Sequence, residues 1–404
     1  MALLAGLPTT SERFQLELNL QVTLGPALMA MQGSATPEVE QAYERARALC
    51  RQVGETPQLG PVLWGMWRYY QARGTLQTSH ELGEHLLTLA QHQSHPSLLL
   101  AAYQALGQTS YLLGEFSTAR EYLEQALGQG PAFAEIQHHR AMAVRYGVAP
   151  GVYGLTFAAL TLWSLGYADQ AVQHSQAALA LAQQLSHPQS LAVAQYYAGQ
   201  LHVHRGEAAV IQEHAEALMS LATAQEFSHY VTLATFLRGA ALMAQGKHDA
   251  GVTTIRQGMA AALASGAELF WPYWLILLAE GYGKVGQPDM GLAVLTQAAA
   301  VVEKTEERFY ASELPRIQGE LLLQQEPPDI KQAETSLQQA LAIARSQQAK
   351  AWELRAVTAL SRLWQREGKG NDALRLLQDA MGWFTEGSTT ADPQEAQALL
   401  TQFT

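Results

Sequence analysis

The chain alternates apolar stretches of helical character with glycine-marked breaks, and nowhere shows the strict apolar–polar alternation of a half-buried strand. Glycines that close an apolar stretch recur at Gly74, Gly114, Gly166, Gly206, Gly246, Gly286 and Gly368. The intervals are 40, 52, 40, 40, 40 and 82 residues. The last is two repeats of 41 whose middle site, near Glu326, carries no glycine; the 52 is one repeat of 40 with 12 residues added. Glycine suits a helix C-cap, where the chain turns through the left-handed region. An interval near 40 residues is the length of one helix–turn–helix unit, so the pattern predicts a stack of helix pairs.

The predicted pairs are 11–31 with 37–54, 58–73 with 77–93, 97–113 with 116–128, 151–165 with 168–185, and 189–205 with 208–225. They continue as 229–245 with 248–265, 270–285 with 288–305, 309–325 with 330–348, and 351–367 with 370–382. Ser117 and Asp169 precede or open second helices, and Pro288 sits at a helix start where its missing N–H costs nothing. Pro327-Pro328 makes a stiff loop. Met1–Leu7 reads as the end of a helix. The 12-residue excess falls in an insert, 129–150, which includes His138-His139-Arg140 and Arg145; a long loop or an added helical turn, exposed on one side, is expected there. The last segment, 383–404, is expected to cap the array through a helix at Pro393–Phe403 with a polar face of Gln394, Glu395 and Gln397.

One unit, Leu100–Pro131, carries Tyr103, Leu106, Gly107, Gly114, Phe116, Ala119, Leu123, Ala126 and Pro131. This spacing resembles the tetratricopeptide (TPR) signature. Gly107 and Ala119 let two helices approach, Tyr103 and Leu123 fill the space between repeats, and the proline cannot continue the second helix. Gly199, Gly206 and Leu218, then Tyr282, Gly286, Leu295 and Ala298, and later Leu360, Trp364, Gly368, Ala373, Leu377 and Ala380 keep parts of it. The expected fold is all-α: a single TPR-like solenoid over 1–404, a right-handed superhelix of about nine repeats.

Composition narrows the function. With 404 residues and 48% hydrophobic content the chain exceeds the usual limit of one compact core, as a repeat array can. The net charge of −11, without any Lys/Arg-rich block, argues against nucleic acid and anionic membrane as partners. No apolar run is long enough to span a bilayer. The single cysteine, Cys50, can form no internal disulfide; Ala46, Leu49 and Val53 around it suit a core helix face, and a cytoplasmic location is expected.

Catalytic patterns are missing. There is no phosphate loop; Gly281-Tyr-Gly-Lys-Val-Gly286 ends a first helix without a preceding strand. The 13 histidines include His80 with His85 and His202 with His204, none at metal-ligand spacing. No GxSxG elbow occurs. The expectation is a non-catalytic binding protein without metal or cofactor.

What remains is surface. First helices line the concave face of such a solenoid. Carrying over the groove positions usual in TPR proteins, with each repeat anchored on its glycine, the resemblance implies as groove candidates Trp64, Arg68, Gln104, Gln108, Tyr153, Trp163, Tyr196, Gln200, His204, Phe236, Tyr273, Glu280 and Lys284, then Arg316, Glu320, Arg355 and Arg362. Trp163, Tyr196, Phe236 and Tyr273 recur near the repeat spacing as an aromatic stripe; Gln200 and His204 add polar groups. Glu280 and Lys284, one turn apart, would orient a peptide or partner helix.

Several phrases are more specific than the repeat. They are Gly25-Pro-Ala-Leu-Met29 with Pro37–Tyr43, Leu278–Gly286, Glu307-Arg-Phe-Tyr-Ala-Ser-Glu313, Gln347–Arg355, Gly382-Trp-Phe-Thr-Glu-Gly387 and Ala391-Asp392. On these the whole chain resembles the C-terminal TPR region of bacterial signalling proteins in which a nucleotidyl-cyclase or kinase domain and an AAA/STAND-type ATPase precede the repeats. The resemblance implies a sensor or scaffold arm whose partners include those upstream domains. The insert departs from it: Tyr146-Gly-Val-Ala-Pro-Gly151 stands where the family tends to carry a more polar turn. A second reading is the repeat domain of a LuxR/MalT-like activator, or a stand-alone TPR adaptor; the former would need a helix-turn-helix after the repeats, and none is found before Thr404.

Overall fold

The computed structural model describes residues 8–54, 56–128, 135–263 and 267–403. The expectation for Met1–Leu7 lies outside them, as do the first residues of the insert. The described residues form 20 α-helices and no strand. Helix pairs follow one another: α1 (Ser11–Gln32) with α2 (Pro37–Val53), α3 (Leu59–Ala72) with α4 (Leu76–Gln93), and α5 (Pro96–Leu112) with α6 (Phe116–Leu127). After α7 (Ile136–Tyr146) come α8 (Pro150–Ser164) with α9 (Ala168–Leu185), α10 (Pro188–Arg205) with α11 (Ala208–Ala224), and α12 (Ser228–Ala244) with α13 (His248–Leu263). Then follow α14 (Trp271–Lys284) with α15 (Pro288–Thr305), α16 (Glu313–Leu322) with α17 (Ile330–Ser346), α18 (Lys350–Arg366) with α19 (Gly370–Met381), and α20 (Ala391–Leu400). The result is the TPR-like solenoid the periodicity predicts.

The local reasons are visible. Gly74, Gly114, Gly166, Gly206, Gly246, Gly286 and Gly368 all have positive φ, from 70° to 94°, as the cap argument requires. Outer helices carry one apolar stripe; α6, for instance, buries Phe116, Ala119, Leu123 and Ala126. Inner helices near the middle of the first half are buried over most of their surface. In α8 every residue from Pro150 to Ser164 is out of water, which its lack of any charged side chain permits.

The array also folds back on itself. Ser228 Oγ donates to the Met31 carbonyl at 2.8 Å, joining residues 197 apart in sequence. The amides of Glu268 and Leu269 donate to the Ala72 carbonyl, and those of Arg308 and Phe309 to the Leu112 carbonyl. Farther on, Glu386 Oε1 accepts from the amides of Asp169 and Gln170 at 2.9 and 3.2 Å. The loops ahead of late inner helices thus cap or meet the ends of early ones, and the second half of the solenoid lies on the first. Inner faces meet one another across the axis.

The insert differs from the expected exposed loop or turn. Within it α7 makes about three turns and buries His139, Met142, Ala143 and Tyr146. Arg145 donates to the Pro57 carbonyl and Arg140 to that of Gln184, while Tyr146 meets Trp64 edge-on at 5.2 Å. The spacing of those four residues, i, i+3, i+4 and i+7, is the signal that marks a helix face. Cys50 is buried, and burial pushes its thiol up. At the other end Ala396 and Leu399 of α20 pack into the core formed by α18 and α19.

Candidate ligand-binding cavities on the superhelix axis

The axis is built around one face of α10. Tyr196, Gln200 and His204 follow one another at i, i+4 and i+8, so they point the same way at successive turns. All three are buried. The His204 ring stacks on Trp163 at 4.8 Å and meets Tyr273 and Trp352 edge-on at 5.7 and 5.3 Å. Tyr273 in turn contacts Phe309 and Tyr310 at 5.9 and 4.9 Å. Tyr196 packs on Tyr197 and Phe270. These rings form a packed partition across the axis. Phe236 lies apart from it, stacked flat on Trp274 at 4.2 Å between α12 and α14.

Burial is nearly complete for the predicted aromatic stripe: Trp163 is 3% exposed, Tyr196 1%, Phe236 2% and Tyr273 0%. The repeat spacing places them on inner helices; Trp274 of the next repeat covers Phe236, and the fold-back sets Trp352 over Trp163. The partition holds polar groups without partners: Gln200 Nε2 and Oε1, both His204 ring nitrogens, and the Tyr273 hydroxyl. Burial, reinforced by Arg355, keeps the His204 pKa well below the ordinary histidine value, so the ring is neutral near pH 7.

A cavity lies on each side of the partition. Tyr196 lines one and His204 the other, two turns along α10. The larger, about 380 Å³, also takes in Glu280, Lys284, Arg316, Glu320, Arg355, Arg362, Asp392 and Glu395. Of the predicted groove residues the structure brings His204, Glu280, Lys284, Arg316, Glu320, Arg355 and Arg362 together here, with contributions from α10 through α20.

Its wall is an ion-pair network. Glu313, buried in the first turn of α16, accepts from Arg316 Nε and Nη2 at 2.6 and 2.7 Å, and Arg316 Nη1 donates to Glu320 at 2.8 Å. Arg355 reaches Glu313 at 3.4 Å, Asp392 at 2.8 Å and the His204 carbonyl at 2.5 Å. Its guanidinium lies 5.0 Å from the Trp352 ring and 5.4 Å from that of Trp163. Arg362 pairs with Glu395. Burial would raise the Glu313 carboxyl, but Arg316 and Arg355 outweigh it and hold it below the usual range. For Asp392 burial wins and the shift is upward, against Arg355. Glu280 is also raised by burial, opposed by Arg316. Glu280 and Lys284 form no ion pair among the described residues.

The repeat positions did not single out Glu313, Tyr310, Trp352 or Asp392. The repeat containing Glu313 lacks its anchoring glycine, and Asp392 reads in sequence as a helix start; its pairing with Arg355 exists only once α20 closes over α18. The smaller cavity gathers Arg68, Gln108 and Tyr153 of the predicted groove set, with Tyr196; Trp64 and Gln104 stand behind them, bonded to each other at 3.1 Å. Among the described residues no three His, Cys, Asp or Glu side chains converge as a metal site, and no helix is long and apolar enough to cross a membrane.

No family model matches the chain, and no curated protein matches it at a significant level. Solved structures do. A Rap protein complexed with competence and sporulation factor superposes with a TM-score of 0.63 at 12% identity, over 98% of this chain and 100% of that one. The apo form of the quorum sensor NprR from B. thuringiensis gives 0.51 at 13% identity, over 92% and 98%. At such identities the likeness is one of fold: a TPR-like helical-repeat superhelix.

Proposed function

We propose that the chain is a non-catalytic sensing module which binds a peptide or a segment of a partner protein at the larger axial cavity, and that it regulates a cyclase- or ATPase-type signalling protein. The observation that carries the binding reading is the charged cavity itself. Glu313, Arg316, Arg355 and Asp392 are held by one another, which builds a rigid wall rather than a set of reactive groups. Glu280 and Lys284, one turn apart and unpaired, are left to face a ligand and set its direction. A solenoid of similar fold holds a bound factor, the Rap protein with competence and sporulation factor. The signalling context rests on the specific phrases of the sequence, such as Gly382–Gly387, several of which sit where the two halves meet: Glu386 caps α9. An occupant of the cavity would touch α10, α14, α16, α18 and α20 together and so bias how the halves close.

The test is selection of a random-peptide display library on the purified chain, with enriched peptides measured by fluorescence anisotropy. Glu280→Lys and Lys284→Glu should each weaken binding at least tenfold. The double exchange should select peptides of the opposite charge order. Enriched peptides indifferent to both exchanges, or no enrichment, would refute the reading.

A further inference from the structure

We propose that the smaller axial cavity is a binding site for a carboxylate group, anchored by Arg68 with Gln71 and Tyr196 as donors beside it. This inference does not depend on the larger cavity.

Arg68, on α3, is 7% exposed. Its Nη2 donates to Ser34 Oγ at a long 3.4 Å, and its Nη1 is buried with no hydrogen-bond partner. Among the described residues it forms no ion pair. Tyr43, Tyr197 and Tyr230 around it are held uncharged by burial, and its guanidinium lies over the Trp64 and Tyr153 rings at 5.2 and 5.8 Å. Every other buried arginine in an ion pair, Arg316 above all, has its carboxylate at hand. A guanidinium out of water without a counter-ion is among the costliest groups a fold can hold.

A second observation points into the same space. The Trp64 indole N–H can only donate, and it donates to Gln104 Oε1 at 3.1 Å. That fixes the Gln104 amide, whose Nε2 donates to Gln108 Oε1 at 2.8 Å; Gln108 Nε2 then donates to Gln71 Oε1 at 2.6 Å. The chain of amides has one direction, set by the indole, and it ends on Gln71 Nε2, which is buried and has no acceptor. The Tyr196 hydroxyl borders the same space; beside the Trp274 indole, which can only donate, its own proton is left to donate. Arg68, Gln71 and Tyr196 all line the cavity, whose volume is about 80 Å³. Arg68 Nη1 and Gln71 Nε2 share a buried space in which neither has an acceptor, and the Tyr196 hydroxyl borders it.

The missing partner is a monoanion with two adjacent oxygens. A carboxylate matches the guanidinium fork and leaves an oxygen for the amide and the hydroxyl. One guanidinium balances one negative charge; a dianionic phosphate would bring a second charge with no cation to meet it. The volume admits a small organic acid or the terminal carboxylate of a chain.

The experiment follows thermal melting of the full chain during titration with sodium propionate, with propionamide and sodium chloride as neutral and ionic-strength controls. A saturable rise in Tm is expected with propionate alone. Arg68→Met should abolish that rise and should melt no lower than the wild type without ligand, because it removes an unpaired buried charge. Gln71→Glu, three residues from Arg68 on the same helix, should raise Tm and abolish the propionate response by supplying an internal carboxylate; it decides the matter alone if Arg68→Met does not fold. Trialanine against its C-terminal amide separates the sources: tighter binding of the free acid than of propionate identifies a chain terminus, and a response to propionate alone identifies a small free acid. Equal responses to propionate and propionamide, a propionate response that survives both substitutions, or a larger response to inorganic phosphate would overturn the assignment.

Discussion

Glu307 offers the sharpest test of how the entry to α14 is held. It lies between α15 and α16, is 2% exposed, and its Oε2 accepts the Phe270 amide at 2.9 Å. Phe270 sits in the left-handed region (φ 64°) at the start of α14, so this bond fixes a strained entry to that helix. Oε1 has no partner. Burial raises the carboxyl to about 8, against the amide bond, which favours the ionised form. From the ordinary 4.5 to about 8, at about 1.36 kcal/mol per unit, the shift corresponds to at most about 5 kcal/mol. The folded carboxyl binds its proton more tightly than the unfolded one. Its contribution is therefore fully present below about pH 4.5 and is lost as pH rises to about 8, at roughly 1.4 kcal/mol per pH unit within that window. Glu307→Gln keeps an acceptor for the Phe270 amide and removes the titration. Urea unfolding of both proteins, followed by tryptophan fluorescence from about pH 5 to pH 9, should show the variant gaining on the wild type until about pH 8 and then running parallel. Because a repeat array need not unfold in one step, amide exchange of α14 supplies the local reading. A stability difference independent of pH, or a wild type that gains as pH rises, would refute the reasoning.

Two further outcomes follow from the packing. Tyr273 is fully buried and its hydroxyl has no partner, so Tyr273→Phe should leave thermal stability unchanged or raise it, whereas Tyr273→Ala should cost about 3–5 kcal/mol in urea unfolding; a mild Ala variant would show that the partition is not tightly packed. Glu386 takes the place of an N-cap side chain for α9, whose own cap residue, Tyr167, supplies none. Glu386→Ala should cost about 0.5–2 kcal/mol and speed amide exchange at Asp169 and Gln170, and unchanged exchange there would remove the capping role.

The repeat period, the helix pairs and their glycine turns were legible in the sequence because they are local: apolar periodicity decides which stretches coil, and a cap that needs positive φ selects glycine at Gly74 or Gly206 as much as at Gly368. The same pattern placed Trp163, Tyr196, Gln200, His204 and Tyr273 on inner helices, and Glu280 one turn from Lys284. It could not say whether an inner face meets solvent or another inner face. That is set by the superhelical turn, a small rotation per repeat summed over many repeats, which brings Leu112 to Arg308 and Asp169 to Glu386. Only this closure set Trp163 against Trp352 and brought Arg355 to the His204 carbonyl, since pairing across a fold depends on distances that no local pattern encodes.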